Sequence, residues 1–113
     1  MKEQTRYILS KDGIQLFVRI WSPDIAPRAV VQVVHGMAEH SKRYGPLAEA
    51  LCAAGIEVWA DDHRGHGQTA QSGKNPPDAG GLLGHCADRD GFYKVVSDLE
   101  HISRVIQQER ANI

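Results

Sequence analysis

Residues 29–34 read Ala-Val-Val-Gln-Val-Val, and this run constrains the fold more than any other stretch of the chain. A strand with one solvated face alternates apolar and polar residues. A near-continuous β-branched run suits a strand buried on both faces, and such strands belong mostly to parallel sheets. Two parallel strands need a crossover between them, and the sequence supplies one. Gly45-Pro46 opens a helix with proline at its first position, Leu47, Ala48, Leu51 and Ala54 form an apolar stripe, and Gly55 stops it. Ile-Glu-Val-Trp-Ala, residues 56–60, is the returning strand. Residues 29–60 are therefore predicted to form a strand–helix–strand unit with a parallel pair and a right-handed crossover, which sets the fold class as α/β.

An antiparallel hairpin is predicted ahead of this unit. Thr-Arg-Tyr-Ile-Leu-Ser and Ile-Gln-Leu-Phe-Val-Arg-Ile-Trp flank the turn signal Lys11-Asp12-Gly13. The second strand sets Ile14, Leu16, Val18 and Ile20 against Gln15, Phe17, Arg19 and Trp21, so one face is partly solvated. Pro23 and Pro27 make the next segment a loop. After residue 60 a glycine-rich polar stretch runs from Asp61 to about Gly91, a length that marks a functional or mobile loop. From Phe92 to about Arg110 the residues Phe92, Val95, Val96, Leu99, Ile102 and Ile106 keep one helical face. Strand, helix, strand, helix is a rhythm that asks for a further parallel strand. Residues 1–113 are accordingly expected to be one incomplete domain, the N-terminal part of a larger α/β sheet.

Composition excludes several classes. Apolar residues make up 42% and charged residues 24% of the 113, with a formal net charge of -1, which is ordinary for a globular protein and gives nucleic acid no basic face. The polar start, Met-Lys-Glu-Gln-Thr-Arg, has no signal-peptide core, and no apolar run nears the roughly 18 residues that span a bilayer. Two distant cysteines fit a reducing compartment. A cytoplasmic location is expected.

Chemistry is expected where the valine-rich strand ends, because reactive groups in open α/β sheets gather at the carboxyl ends of strands. There the chain reads His35-Gly36-Met37. Gly36 can adopt backbone angles that turn the Met37 N–H into the crevice, where it could serve an oxyanion; the bland alternative is a plain strand-to-loop turn. A second candidate is Cys86, in Gly84-His85-Cys86-Ala87-Asp88. This spells most of a nucleophile elbow but lacks its second glycine, a preceding strand and an immediate helix. Cys86 is read as a loop residue, and Asp88 or Asp90 as the cap of the helix from Phe92. Cys52 is read as core. The histidines form no metal set: Glu39-His40 behind His35 approaches a zinc motif that belongs on a helix, and His63 and His66 sit on a glycine turn without a thiolate. The glycine fingerprint of a dinucleotide site is missing after the first parallel strand.

His-Gly-Met-Ala-Glu-His-Ser-Lys-Arg-Tyr, followed one strand later by Asp-Asp-His-Arg-Gly-His-Gly-Gln-Thr, resembles the serine hydrolases of the α/β-hydrolase fold. The nearest branch is that of monoacylglycerol lipases and lysophospholipases, which share a domain type with serine aminopeptidases of the S33 kind. The matching residues are His35, Gly36, Glu39, His40, Ser41, Arg43 and Tyr44, then Asp62, Arg64, Gly65, His66, Gly67 and Thr69, where serine is commoner. The resemblance implies that the Met37 backbone N–H is one oxyanion-hole donor, supported by His35 and Gly36. Glu39, His40, Asp62, Arg64, Gly65, His66 and Gly67 would be structural residues bordering the pocket. It implies no cofactor, no metal and an acyl-ester lipid substrate. The family's nucleophile, in G-x-S-x-G after the next strand, and its acid and histidine have no counterpart in residues 1–113, so the elbow is expected just beyond Ile113. Contact with a membrane surface would fall to the family's cap, which comes later still. Two rival readings stand beside the esterase. One is a non-catalytic remnant or binding module, and the other is the same fold turned to peptidase or other hydrolase chemistry.

Overall fold

The computed structural model describes residues 1–87 and 89–113; Asp88, one of the two expected helix caps, lies outside the described residues. Strand β1 (Lys2–Leu9) and strand β2 (Gln15–Ser22) pair antiparallel in one register from Lys2 opposite Ser22 to Leu9 opposite Gln15. Ser10 builds the turn: its carbonyl accepts from the Gly13 N–H and its hydroxyl from the Ile14 N–H. Strand β3 (Ala29–Val33), helix α1 (Gly45–Ala53) and strand β4 (Ile56–Asp62) form the crossover unit, with β3 and β4 parallel. The sheet order is β1-β2-β4-β3, with β2 antiparallel to β4.

Alternation along the central strands sends side chains to two apolar layers. Ile14, Leu16, Val18, Ile20 and Trp59 meet Ile102 and Ile106 of helix α3 (Gly91–Glu109) on one face. On the other, Trp21, Val33, Val58 and Ala60 meet Ala48 and Cys52 of α1. Cys52 is core, as its sequence context indicated. The far end of α3 is tied down by Arg110, whose Nε donates to buried Glu57 at 2.7 Å.

Four expectations need correction. β3 is not buried on both faces: Ala29 to Gln32 are half-buried, because β3 is the sheet's edge and β4 is its sole neighbour among the described residues. In α1 the inward line is Ala48 and Cys52 with Leu51; Leu47 is exposed, and Ala54 lies past the helix. In α3 buried Asp98 joins Ile102 and Ile106 in facing the sheet. At about 100° per residue, Val96 then lies on the far side of the helix, and both Val96 and Phe92 are exposed. The stretch after Ala60 is not an open loop. β4 continues to Asp62, a short helix α2 (Gly67–Gln71) follows, and Pro77–Gly81 forms a wide turn. Asp61, Asp62, His63, Arg64, His66, Thr69 and Asn75 are all buried.

Asp90 stands at the N-cap position of α3 in the left-handed region (φ 54°) and makes no side-chain capping bond. Asp90 is thus not the side-chain cap its sequence position suggested.

Candidate active site

The ends of β3 and β4 lie side by side, and the segments leaving them build an open crevice of about 490 Å³. Met37, Ala38, Glu39 and His40 line it from the β3 side. Gly65, His66, Gly67 and Gln71 line it from the β4 side, with Leu83 and Gly84 beyond. Two sequence motifs, beginning at His35 and at Asp61, thus meet because parallel strands deliver both to one edge of the sheet.

On the β3 side, Glu39 folds back over the turn. Its Oε1 accepts from the Gly36 N–H at 2.7 Å and from the Tyr44 hydroxyl at 3.0 Å, and these two donors hold its carboxyl below the usual range. The Glu39 N–H in turn donates to the Gly36 carbonyl at 3.2 Å. The Met37 N–H donates to no acceptor among the described residues, and the Met37 side chain is 84% exposed. Gly36 is constrained by a tight side-chain contact and not by a positive φ. A Cβ there would stand 3.0 Å from Glu39 Oε1. The residue held in the left-handed region is Ala38, at φ 60°.

On the β4 side, Asp62 joins the two walls. Its Oδ1 accepts from the Ser41 N–H at 2.6 Å and its Oδ2 from the Gln68 N–H at 2.8 Å. It therefore lies behind the crevice rather than in it. Thr69 keeps the hydroxyl chemistry of the commoner serine: it donates to the Asp62 carbonyl and accepts from the Phe17 N–H. Gly65 has φ 74°, and a Cβ there would meet the His85 carbonyl at 2.3 Å, so no other residue fits.

His35 and His63 stack face to face, ring centres 3.6 Å apart, with the His66 ring 5.2 Å from His35. His63 Nδ1 lies 2.8 Å from Asp61 Oδ2, and its Nε2 lies 2.9 Å from the His35 carbonyl. His35 Nε2 accepts from the His63 backbone N–H at 3.0 Å, and its Nδ1 lies 2.8 Å from the Gly36 carbonyl. Burial works against charge on both rings. Asp61 nevertheless carries His63 above the ordinary histidine range, while burial and the neighbouring histidines hold His35 below it.

Arg64 does not border the crevice. Its side chain turns the other way, into a separate depression that Asp12, Asp78, Cys86 and Lys94 also line. There it donates twice to Asp98, at 2.7 Å each, and twice to Asp12, at 2.9 and 2.8 Å. Cys86 is half-buried beside it, and burial pushes its thiol up, away from the thiolate a nucleophile needs. No strand leads directly into Cys86, since β4 ends at Asp62, and α3 begins only at Gly91. Among the described residues no three His, Cys, Asp or Glu side chains are grouped to hold a metal ion, and no helix is long and apolar enough to cross a membrane.

A mixed sheet with helices on both faces and a crevice at its strand ends defines the class. The whole chain superposes on 34% of a thermostable carboxyl esterase from Bacillus coagulans, solved in complex with glycerol, with TM-score 0.82 and 32% identity. The fold is that of an α/β hydrolase. Residues 25–113 match the family described as "Serine aminopeptidase, S33", and the chain belongs to that family. It is 47% identical over 57 residues to the monoacylglycerol lipase of Mycolicibacterium smegmatis, covering 50% of this chain and 20% of that one. It is 44% identical over 63 residues to human monoglyceride lipase, covering 56% of this chain and 21% of that one. The matched stretches thus span about a fifth of the length of these relatives.

Reading the sequence picked out His35, Gly36, Met37, Glu39, His40 and the Gly65–Gly67 turn, and the structure brings these to one place. It missed the Asp61–His63–His35 contacts and the two carboxylates on Arg64. Nothing in local sequence signals a pairing between residues 34 and 52 positions apart.

Proposed function

We propose that this chain is the oxyanion-bearing N-terminal part of a serine hydrolase that cleaves carboxylic esters of acyl glycerols or lysophospholipids through an acyl-enzyme. The observation that carries the reading is the unengaged Met37 N–H at the crevice rim, beside a Gly36 N–H already taken by Glu39. In ester cleavage the carbonyl oxygen gains charge as the tetrahedral intermediate forms. A preorganised N–H aimed at that oxygen contributes on the order of 3 kcal/mol. The serine that attacks would lie on an elbow after a strand added to the free edge of β3, beside the Met37 amide, with the acid and base contributed later in the chain. His40, His66, Gly65, Gly67 and Leu83 would border the bound ester. The named activities of the mycobacterial and human relatives support acyl glycerol as the substrate class. Two unpaired cysteines support a reducing, cytoplasmic setting, with membrane contact left to a cap outside residues 1–113.

The test is to read the coding frame past Ile113 and assay the resulting polypeptide on a monoacylglycerol. A helix-to-strand loop of about 2–6 residues and a buried strand of about five put G-x-S-x-G within about ten residues of Ile113. A frame that stops at Ile113 would favour a remnant or binding module. A frame that continues without G-x-S-x-G would sink the serine chemistry. Cleavage of aminoacyl peptides in place of the ester would move the chain to the peptidase reading.

A further inference from the structure

We propose that the Asp61–His63 pair is a positioning device that aims the Met37 amide, acting through the imidazole and the main-chain carbonyl of His35. The inference rests on the oxyanion reading of Met37, but its geometry stands apart from any turnover.

The Gly36 C=O and the Met37 N–H belong to one planar peptide unit and point in opposite directions. Whatever fixes the Gly36 oxygen therefore fixes the direction of the Met37 N–H. Two donors hold that oxygen: the Glu39 N–H and, more closely, His35 Nδ1. The His35 ring can donate from Nδ1 only in the tautomer whose Nε2 is bare, and Nε2 is the atom that accepts from the His63 N–H. His35 is thus a neutral ring with both nitrogens committed.

His63 is the opposite case. Both its ring nitrogens face oxygens, Asp61 Oδ2 and the His35 carbonyl. A neutral imidazole has one N–H and can satisfy one of them. The imidazolium satisfies both, and Asp61 supplies its counter-charge. A cation stacked on a neutral ring at 3.6 Å is tolerable, whereas two cations would repel, so the charge division suits the stack. The chain of contacts runs from Asp61 to the His63 ring, to the His35 carbonyl and ring, to the Gly36 oxygen, and so to the Met37 N–H.

The groups that face His63 are Asp61 and Asp62 from β4, His35 from the end of β3, and His66 from the following turn. On the α3 side Asp98 lies close enough to Asp61 to interact with it, but it is paired with Arg64. The sign follows. His63 gains its proton on folding, so the clamp is complete below the ordinary histidine range and is lost as pH rises through the elevated folded value. At the acid end, protonating His35 at Nε2 puts a second N–H against the His63 N–H and breaks that contact, while Nδ1 goes on donating to the Gly36 oxygen. The His63 arm of the clamp is therefore lost on the alkaline side, and the contact between the His35 ring and the His63 N–H on the acid side.

The test uses the full 113-residue chain labelled with nitrogen-15. Ring-nitrogen shifts are followed with pH, together with the heteronuclear relaxation of the Met37 amide and the exchange of the Gly36 and His63 amides. His63 should carry protons on both nitrogens at neutral pH while His35 carries one. Alkaline titration of His63 should loosen the Met37 amide and speed exchange of the His63 amide by about tenfold, as for loss of a charge-assisted bond. In Asp61→Leu the Met37 amide should be loose at neutral pH. In Asp61→Asn the amide NH₂ can donate to the bare Nδ1 of a neutral His63, so order should be rescued and its alkaline loss removed. A His63 that titrates as an ordinary histidine, a single proton on it at neutral pH, or a Met37 amide indifferent to its titration would overturn the proposal. A clamp that behaves as described in a polypeptide without esterase activity would leave it standing and remove the oxyanion reading instead.

Discussion

Replacing Arg64 with methionine should be among the most damaging single changes in this chain. Arg64 is 3% exposed and makes four charge-assisted hydrogen bonds. Its two carboxylate partners differ. Asp98 is 4% exposed and accepts two hydrogen bonds from Arg64, whereas Asp12 is 44% exposed. Solvent screens the Asp12 arm, which is worth about 1 kcal/mol or less. The Asp98 arm is different, since removing one partner of a buried pair strands the other charge, at about 3–5 kcal/mol. With a urea slope of about 1–2 kcal/mol per molar, the unfolding midpoint should fall by about 1.5–5 M. Burial already pushes the Asp98 carboxyl up, against the pull of Arg64. Without Arg64 the folded state binds that proton more tightly than the unfolded chain. The Arg64→Met loss should therefore shrink as pH falls and be greatest at neutral pH and above. Adding Asp98→Leu should recover most of the loss, because an apolar pair carries no stranded charge. Urea titrations of wild type, both single variants and the double variant at neutral and acid pH decide the matter. A loss under about 1 kcal/mol, or a double variant no better than Arg64→Met, would refute the assignment of the cost to buried Asp98.

The Asp12 arm has its own signature. Arg64 holds its carboxyl down to about 2 from an ordinary 3.8, so its small contribution should be intact above about pH 4 and fade as pH falls through about 2, a slope that Asp12→Asn removes from acid titrations. The chain alone should not react with a fluorophosphonate probe or turn over a nitrophenyl ester, and labelling lost on Cys86→Ala would restore Cys86 as a nucleophile. With β3 unpaired on its outer side among the described residues and Phe92, Val96 and Val34 exposed, sedimentation should show concentration-dependent self-association; a monodisperse monomer with a sharp melt would mean a self-contained domain.

What was legible in the sequence follows the physics of each signal. Strand and helix periodicity located β2, β3, α1, β4 and α3, and Gly-Pro and Gly55 marked the ends of α1, because these are local properties. Which side of a helix faces inward was legible only where apolar residues alone decide it. In α3 a buried ion pair fixes the roll, so Asp98 faces in and Val96 faces out. The valine run signalled a strand for a two-sided interior, yet β3 is half-exposed, since burial depends on neighbours and not on the strand itself. The segment from Asp61 to Gly91 looked open because its polar residues are satisfied by partners far along the chain: Asp62 by Ser41, Asn75 by Gln15, Arg64 by Asp12 and Asp98. At the candidate site the motif named residues that the fold brings together, but not the contact that constrains Gly36. The sequence shows that a glycine is there, but not that a carboxylate three residues on lies against it.

The central claim is that Met37 acts through its backbone N–H, and a pair of substitutions in the esterase-competent polypeptide tests it most directly. Met37→Ala keeps the N–H and removes only an exposed side chain, so kcat on a monoacylglycerol should stay within about threefold of wild type. Gly36→Val brings a β-branched side chain against Glu39 Oε1, where even a Cβ would stand at 3.0 Å. The Glu39–Gly36 bond must give way and the amide swings off aim, so kcat should fall about 100-fold, the loss expected for one oxyanion donor. Parallel urea titrations show whether both variants remain folded. Equal losses from the two changes, or a large loss from Met37→Ala alone, would contradict the claim and assign the methionine side chain to substrate packing.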